Sequence, residues 1–592
     1  MNKIRLIVLS FCLWSFWTQA AVKLDSPLLA VDSLPELDAF ANLKLKDSPF
    51  LYDRMVNPFG LDSLLSPVAG SLRFGVNPYE RLIALENPIL PLDTNFAVSN
   101  ISVVLGSTRE QLLFLDHHQH ITKKLSATIS YHSVVSPGFV LNCLSVYRRF
   151  SSALFFNSSW VNSSFNFTYS KVDADENGGI EPDQQLDGRS RTDYEQLITN
   201  LSDDNRETRK YLVELKNAVK LFSFAGADST SSNSVLFNAD VEWQKWGTRY
   251  TGLADKDFYS SFFLDTASTN DTSGYKYLAY RPGLQLKHKG EKISWNVYSS
   301  YSLYQLELRL DSLKSTDSYY RWTSGGEIRF GQFIASAEWN LISGDAFNKD
   351  DRSLVAGLSW NKPSAFVSGI SVSTGLSSLS PDWTKSNYIS NHFLWSNDFE
   401  KEQLSWVYLN LSIWKNRISL FHHFQHADNY CYFNELALPS QLKQQFQLQR
   451  VGVKSDVQWK KWRLISNVRY ALASHQVIRL PEWAAYVRGS YQTSFFKKAL
   501  KAEFGAAVHV TQAWKNYAFM PATGALYLQQ EVNTGGKPTL DLFVNADIGK
   551  ATITLMFQRV NAAWGQTSYY IAPGYPVAPS TIKFGLNWPL VN

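Results

Sequence analysis

Polar and apolar residues alternate with a period of two at the carboxyl end of the chain. Between residues 581 and 590 every second position is apolar, namely Ile582, Phe584, Leu586, Trp588 and Leu590. The same alternation continues on both sides of Gly549-Lys550. Because successive side chains of a β-strand point to opposite faces, this period predicts strands with one apolar face, joined as hairpins.

The first residues of the chain have the organisation of an export signal. Lys3 and Arg5 precede a short apolar run that ends at Trp17, and small residues at Ala20 and Ala21 follow it. The run is about a dozen residues long, whereas a helix that spans a bilayer needs about 20. We therefore predict residues 1–20 to be a signal peptide. Only Cys143 and Cys431 follow it, which excludes a disulfide scaffold in a chain of this length.

The composition favours a membrane barrel over a helical membrane protein. Aromatic residues make up 14% of the chain, yet the mean hydropathy of −0.21 is that of a soluble protein. A barrel reconciles the two values, because its lumen and loops are polar while aromatic rings collect at the membrane interfaces. We predict an all-β fold, a transmembrane antiparallel β-barrel, with a soluble sandwich or propeller as the alternative. A net charge of +5 without a basic run predicts no nucleic-acid partner.

Short turns and long polar connections follow one another along the chain. Short turns such as Trp414-Lys-Asn-Arg417 and Trp459-Lys-Lys-Trp462 alternate with connections such as 428–443 and 514–537. Outer-membrane barrels show this asymmetry between periplasmic turns and extracellular loops. We predict that the barrel occupies residues 98–592. Its strand number should be even, about 18–20 within a range of 16–22.

Residues 21–97 differ from the remainder of the chain. They contain eight prolines and show no sustained alternation. Since proline cannot donate a hydrogen bond into a β-ladder, this region is not expected to form barrel wall. A periplasmic extension, a lumen plug and a partly ordered arm stay open as interpretations.

Several stretches, taken in order, resemble the putative porin family of outer-membrane β-barrel proteins of Bacteroidota. The stretches are 105–114, 117–131, 136–139, 176–180, 570–576 and 584–588, which begin with Leu105-Gly-Ser-Thr-Arg and end with Phe584-Gly-Leu-Asn-Trp588. The resemblance implies a barrel and passive transport. It supplies no catalytic residue and no defined substrate.

Charged residues of both signs occupy the parity opposite the apolar residues, which should face the lumen. Nine are basic: Arg321, Arg329, Arg450, Lys454, Arg463, Arg469, Arg488, Lys501 and Lys583. Six are acidic: Glu327, Glu338, Asp456, Glu503, Asp541 and Asp547. We take these residues as candidates for the pore lining, with mutual pairing across strands as the alternative reading.

One segment resembles the first part of a calcium-binding loop. Asp173, Asp175 and Asn177 alternate before Gly178, but position twelve of the pattern is Gln184 where a bidentate glutamate is needed. A solvated surface loop is the alternative. Two groups of histidines, at 117–120 and 422–426, also suggest a metal, although neighbouring strand residues point to opposite faces. We predict no cofactor.

The expected function is that of a porin, which lets small hydrophilic solutes diffuse through the cell outer membrane. The alternative is a barrel component of an envelope binding, secretion or assembly complex. No nucleophile elbow or phosphate loop is present, so we expect no enzyme, although an outer-membrane hydrolase stays open as a third class. The expected partners are outer-membrane lipid and the solutes, while a homo-oligomer or an envelope partner is left open.

Overall fold

The computed structural model describes Phe74 and residues 96–107, 109–181, 186, 191–225, 231–253, 255–564 and 569–591. The predicted signal peptide and most of residues 21–97 lie outside this part of the chain. Within it, 22 strands form one antiparallel sheet that closes when the first strand pairs with the last, for example Ile101 with Trp588. Every other barrel strand pairs with its neighbours in the chain.

The barrel strands are numbered β1 to β22 in chain order. The first half comprises β1 Val98–Gly106, β2 Gln111–Thr122, β3 Leu125–Ser136, β4 Ser145–Asn157, β5 Val161–Asp175, β6 Asn205–Ala225, β7 Ser232–Leu253, β8 Ser268–Lys289, β9 Ile293–Leu310, β10 Leu313–Phe330 and β11 Phe333–Gly344. The second half comprises β12 Arg352–Asn361, β13 Val367–Leu379, β14 Glu402–Ile413, β15 Ile418–Asp428, β16 Phe446–Trp459, β17 Trp462–Ala473, β18 Trp483–Phe495, β19 Leu500–Thr511, β20 Thr539–Ile548, β21 Ala551–Gln558 and β22 Thr581–Val591.

The prediction of an even-stranded antiparallel barrel is confirmed. The strand number of 22 is the upper limit of the expected range, so the preferred 18–20 was too low. The length of single strands was also difficult to predict, as β9 shows. Leu306, Leu308 and Leu310 face inward and are buried, while Glu307 and Arg309 face outward. The apolar parity therefore changes face within this strand, and a search for one continuous apolar face underestimates its length.

The two faces of the wall differ in the way that the alternation predicts. On β16 and β17, Val451, Val453 and Leu464 are exposed on the outside, while Arg450 and Arg469 are buried on the inside. Apolar side chains on the exposed outer face are stable only where lipid surrounds the wall. The polar face encloses the lumen.

The turns that follow β2, β4 and each later even-numbered strand up to β20 lie at one end of the barrel, and the long connections lie at the other, together with the two-residue turn between β9 and β10. Aromatic rings surround the short-turn end, where Phe330, Phe333, Trp414, Trp459 and Trp462 are exposed. The ammonium group of Lys460 lies 5.2 Å from the ring centre of Trp459. Rings with cations beyond them are typical of a membrane–water interface. We call the opposite end, with the long connections, the mouth.

Short elements are folded within the connections at the mouth. The helices there are Arg191–Tyr194, Trp383–Ser386 and the 3₁₀ turn Val560–Trp564, and a further 3₁₀ turn, Phe496–Lys498, lies between β18 and β19. Small hairpins pair Asn387–Ile389 with Leu394–Ser396, Cys431–Phe433 with Pro439–Gln441, Ala513–Trp514 with Thr534–Gly535, Ala518–Met520 with Ala525–Tyr527, and Tyr570–Ala572 with Tyr575–Pro576. Among the described residues, no helix is long and apolar enough to cross a membrane.

Candidate functional site

The candidate site is the lumen together with the connections that cover its mouth. All fifteen charged residues singled out in the sequence lie on the inward parity of their strands. Five are buried: Arg450, Arg469, Arg488, Asp541 and Lys583. Three are exposed near the short-turn end: Arg329, Asp456 and Lys501. The other seven are intermediate: Arg321, Glu327, Glu338, Lys454, Arg463, Glu503 and Asp547.

Five of the basic residues lie on three adjacent strands, β16 to β18, and two of them are held in ion pairs. Arg463 donates two hydrogen bonds to Asp456, at 2.9 and 2.7 Å. Arg488 lies 3.3 Å from a carboxylate oxygen of Glu503, and its guanidinium carbon is 4.3 Å from the ring centre of Phe543. Pairing across strands, the alternative reading, therefore applies to these two arginines.

Neutral groups are among the contacts of Arg450 and Lys454. Arg450 donates from Nη2 to Nδ1 of His423, the residue directly opposite on β15. The ammonium group of Lys454 lies 5.3 Å from the ring centre of Phe421. Arg469 pairs in register with Gly452, two residues from Arg450. On this wall the inward candidates are five basic residues and two carboxylates, Asp456 and Glu503, so basic residues are in excess by number.

The remaining candidates are distributed around the lumen and mostly have local partners. Lys583 and Glu110 are both buried, with 2.8 Å between Nζ and a carboxylate oxygen. Glu338 accepts hydrogen bonds from Tyr298 and Asn340. Further contacts are those of Arg329 with Glu327, of Arg321 with the Tyr304 ring, of Asp541 with the Arg559 amide, and of Asp547 with Thr552. The alternation in the sequence predicted that these residues face inward, but it did not predict which side chains they contact.

The predicted calcium loop uses its oxygen atoms within the protein. Asp173 accepts hydrogen bonds from Lys171 and from Asn205, at 2.9 and 3.0 Å. Asp175 accepts from the same amide group of Asn205 at 3.1 Å. The side-chain oxygen of Asn177 accepts the Gly179 amide at 2.9 Å. Among the described residues, no group of three or more His, Cys, Asp or Glu side chains could hold a metal ion.

The connections at the mouth contact one another across the barrel. Arg206, at the start of β6, donates hydrogen bonds to the carbonyl oxygens of Pro521 and Ala522, in the connection between β19 and β20 on the far side. Its Nε also lies 3.3 Å from a carboxylate oxygen of Glu176. The two side chains are only 2% and 5% exposed. An ion pair buried in this way fixes the connections only while both partners remain.

A chain of hydrogen bonds and ring contacts continues from this pair to other connections. Tyr250 on β7 donates to Asp204, and its hydroxyl lies 2.7 Å from that of Tyr259. The Tyr259 ring stacks on His392 with 3.8 Å between ring centres. His392 in turn contacts Thr269 on β8 at 2.7 Å. The connections before β6, after β7 and after β13 are therefore joined to one another, and we call the residues Glu176, Asp204, Arg206, Tyr250, Tyr259 and His392 the mouth network.

Burial shifts the pKa values of two groups in the mouth network. Removal of the Asp204 carboxyl from water raises its pKa to about 6, despite the hydrogen bond from Tyr250. Burial also lowers the pKa of the His392 imidazole. Both shifts favour the neutral forms, as expected for groups that the folded connections keep from solvent.

An aromatic core lies beneath the mouth network. Tyr275, Tyr277, Tyr304 and Tyr319 form a ring-to-ring series along β8 to β10, with ring centres between 4.5 and 6.1 Å apart. Phe74 inserts its ring among Trp246, Tyr275 and Trp383, at 5.3 to 5.6 Å. Its carbonyl oxygen accepts the Thr384 amide at 2.8 Å. A residue from before the barrel thus contacts both the inner wall and the connection after β13.

Known proteins share the family and the barrel fold of this chain. A family model described as "Putative porin" matches residues 68–592. The copper transporter OprC superposes with a TM-score of 0.59 at 9% identity, covering 85% of this chain and 82% of that chain. The siderophore receptor PiuA from Acinetobacter baumannii gives 0.55 at 9% identity over 85% and 82%. The closed form of the ferric-catecholate import receptor Fiu from E. coli K12 gives 0.56 at 11% identity over 84% and 82%. These likenesses concern the fold alone, and no curated protein matches the chain.

Proposed function

The chain belongs to the putative porin family, and from this premise we propose that it lets small hydrophilic solutes diffuse across the outer membrane through its lumen. The observation that carries the proposal is the division of the wall into an apolar outer face and an inner face with charges of both signs. A hydrated passage requires this division. Export by residues 1–20 as a signal peptide is part of the same proposal.

The contacts of the mouth network affect how a solute could enter the lumen. Connections contact one another across the mouth, and we infer that they must move apart before a solute enters the lumen. We therefore propose a passage that opens intermittently, not a permanently open channel. The covered mouth also favours the second candidate function, a barrel that binds a partner or acts within an envelope complex.

Electrical recording separates these two functions. Purified full-length protein is inserted into planar bilayers, and current is measured at fixed voltage. Diffusion through an intermittently opened passage predicts discrete, short-lived conductance steps. A protein that gives no conductance, either as wild type or after the mouth network is disrupted, contradicts the porin function. Co-purification of a stable partner in that case would support the envelope complex.

The charge on the inner wall predicts a mild preference for anions. Basic residues outnumber acidic ones among the inward candidates, and like charges lining a passage bias which ions enter. Neutralising Arg469 and Arg488 together, as R469Q/R488Q, removes two cations and leaves Glu503 without its arginine. We expect the anion-to-cation permeability ratio, measured from the reversal potential under a salt gradient, to fall about twofold.

A charge-neutral control is available on the same strands. The double variant R463Q/D456N removes one bidentate ion pair and leaves the net charge unchanged. It should leave the reversal potential where it is. An unaltered reversal potential in R469Q/R488Q, in a channel that still conducts, would place these arginines outside the constriction.

A further inference from the structure

A row of cations lies on the outside of the barrel near the mouth. On the outward parity of β4 to β10 the upper part of the wall carries Arg148, Lys171, Arg209, Lys245, Lys276, Arg309 and Lys314, which we call the outer cationic row. All of these except Lys171 are exposed. The corresponding outward positions of β14 and β16 hold Gln403, Gln447 and Gln449. Arg352, at the mouth end of β12, is a further exposed outward cation, so these cations extend from β4 to β12 and do not continue on β14 and β16.

Within the row, cations face cations. Residues directly opposite in register are Arg148 and Lys171, Lys171 and Arg209, Lys245 and Lys276, and Arg309 and Lys314. Opposite residues on one face have Cβ atoms about 4.5–5.5 Å apart, and like charges at such positions destabilise a sheet. Such pairs need negative charge nearby, from carboxylates of the chain or from outside it.

The carboxylates in the row offset only part of the positive charge. Glu207 contacts Lys171 and Arg209 at 2.6 Å each, and Glu307 contacts Lys276 and Lys314 at 2.8 and 3.2 Å. Asp173 also contacts Lys171. Arg148, Lys245 and Arg309 have no ion-pair partner in the part of the chain that the structure describes. These three cations are available to an external anion.

The centre of the row is shaped as a shallow recess. Gly247 on β7 and Gly274 on β8 are opposite each other, with Arg209 beside the first and Arg309 beside the second. Lys245 and Lys276 flank the same pair one step closer to the short-turn end. A Cβ atom at Gly247 would meet only the carbonyl oxygen of Ser273, at 3.7 Å, whereas one at Gly274 would meet the Trp246 carbonyl oxygen at 2.5 Å, so the open space of the recess lies over Gly247.

The position of the outer cationic row relative to the membrane indicates which kind of anion it can bind. Phe150, Tyr169 and Tyr211 lie in register on the outer face, in the next outward row towards the short-turn end, and the Tyr169 and Tyr211 rings are 4.9 Å apart. Such an aromatic band marks the boundary of the hydrocarbon. On β7 and β8, Lys245 and Lys276 likewise lie one outward position beyond Trp243 and Leu278. The cations of β4 to β8 therefore lie at the depth of the lipid headgroups, where phosphate attracts Lys and Arg.

We propose that the outer cationic row binds the phosphate groups of a phosphorylated glycolipid in the outer leaflet, with one phosphate in the recess at Gly247 and Gly274. Arg209, Lys245, Lys276 and Arg309 surround this phosphate. The lipid supplies the negative charge that the three carboxylates in the row leave unbalanced. It fixes the orientation of β4 to β10, the side of the barrel that carries most of the aromatic core.

The test uses purified full-length protein in maltoside micelles, which contain no phosphate. Lipid A with two phosphates and fully dephosphorylated lipid A are titrated separately, and binding is measured by native mass spectrometry. We expect the phosphorylated lipid to bind roughly tenfold more tightly or better. The triple variant K245Q/K276Q/R309Q should lose at least this preference. The matched control K415Q/K460Q/K461Q removes the same charge at the short turns and should keep it.

Two further measurements address shape and stability. Gly247→Leu keeps every cation but fills the recess, and it should weaken binding of the phosphorylated lipid. Lys245→Gln removes one like-charged contact, so the unfolding temperature of this variant in micelles alone should not fall. The rise in its unfolding temperature when lipid A is added should be smaller than that of the wild type. Equal affinity for the two lipids, an unchanged triple variant, or equal stabilisation by inorganic phosphate would overturn the proposal.

Discussion

Replacing Arg206 by alanine is expected to open the mouth of the barrel. The change leaves Glu176, which is 5% exposed, as a buried carboxylate without its cation. Breaking a buried ion pair by removing one partner costs about 3–5 kcal/mol. The opened mouth avoids this cost because Glu176 becomes hydrated there. The ratio of open to closed states should therefore rise by roughly a hundredfold or more, seen as longer and more frequent conductance steps in planar bilayers.

A double variant distinguishes charge burial from loss of packing. In E176Q/R206M neither of the two replaced side chains carries a charge, and the methionine retains much of the volume of the arginine. If the unpaired carboxylate drives opening, this variant should remain closed for more of the time than R206A. An R206A protein with wild-type currents would mean that the other mouth contacts, such as that between Tyr250 and Tyr259, are sufficient for closure.

The fold and the two faces of the wall could be predicted because the alternation is local. The apolar parity of a strand can be recognised from the residues of that strand alone, because side chains that face lipid must be apolar. The extent of single strands was harder to predict, because the face that is apolar depends on whether lipid, water or other parts of the chain surround it. In β9, Leu308 faces inward and is buried, while Glu307 faces outward beside Lys276, which reverses the polarity found on the apolar part of the wall.

The mouth network could not be predicted from the sequence. Arg206 contacts carbonyl groups at Pro521 and Ala522, more than 300 residues further along the chain. Carbonyl groups are present at every position, so no residue pattern marks which ones an arginine will reach. His392 likewise has an ordinary sequence context and acquires its role by stacking on Tyr259. Long-range polar contacts of this kind depend on the closed barrel that brings the connections together.

Placing arginine at Leu555 or Leu542 is expected to destabilise the barrel strongly. Both side chains lie on the outer face in the interior of their strands and are 37% and 42% exposed. An arginine on the lipid face near the middle of the bilayer costs about 2–4 kcal/mol. Urea unfolding of L555R and L542R in lipid vesicles should show this loss relative to the wild type.

Thr552 and Thr554 lie on the inward parity of the same hairpin, and Thr552 is the better control position for these arginine substitutions. Its hydroxyl donates to Asp547 at 2.7 Å, so an arginine at this position would lie beside a carboxylate in the polar lumen. Thr554 is less suitable because it is fully buried and donates to Asn545. T552R should therefore lose much less stability than L555R, three residues away. Equal losses at both positions would mean that the outer face of this hairpin does not contact lipid.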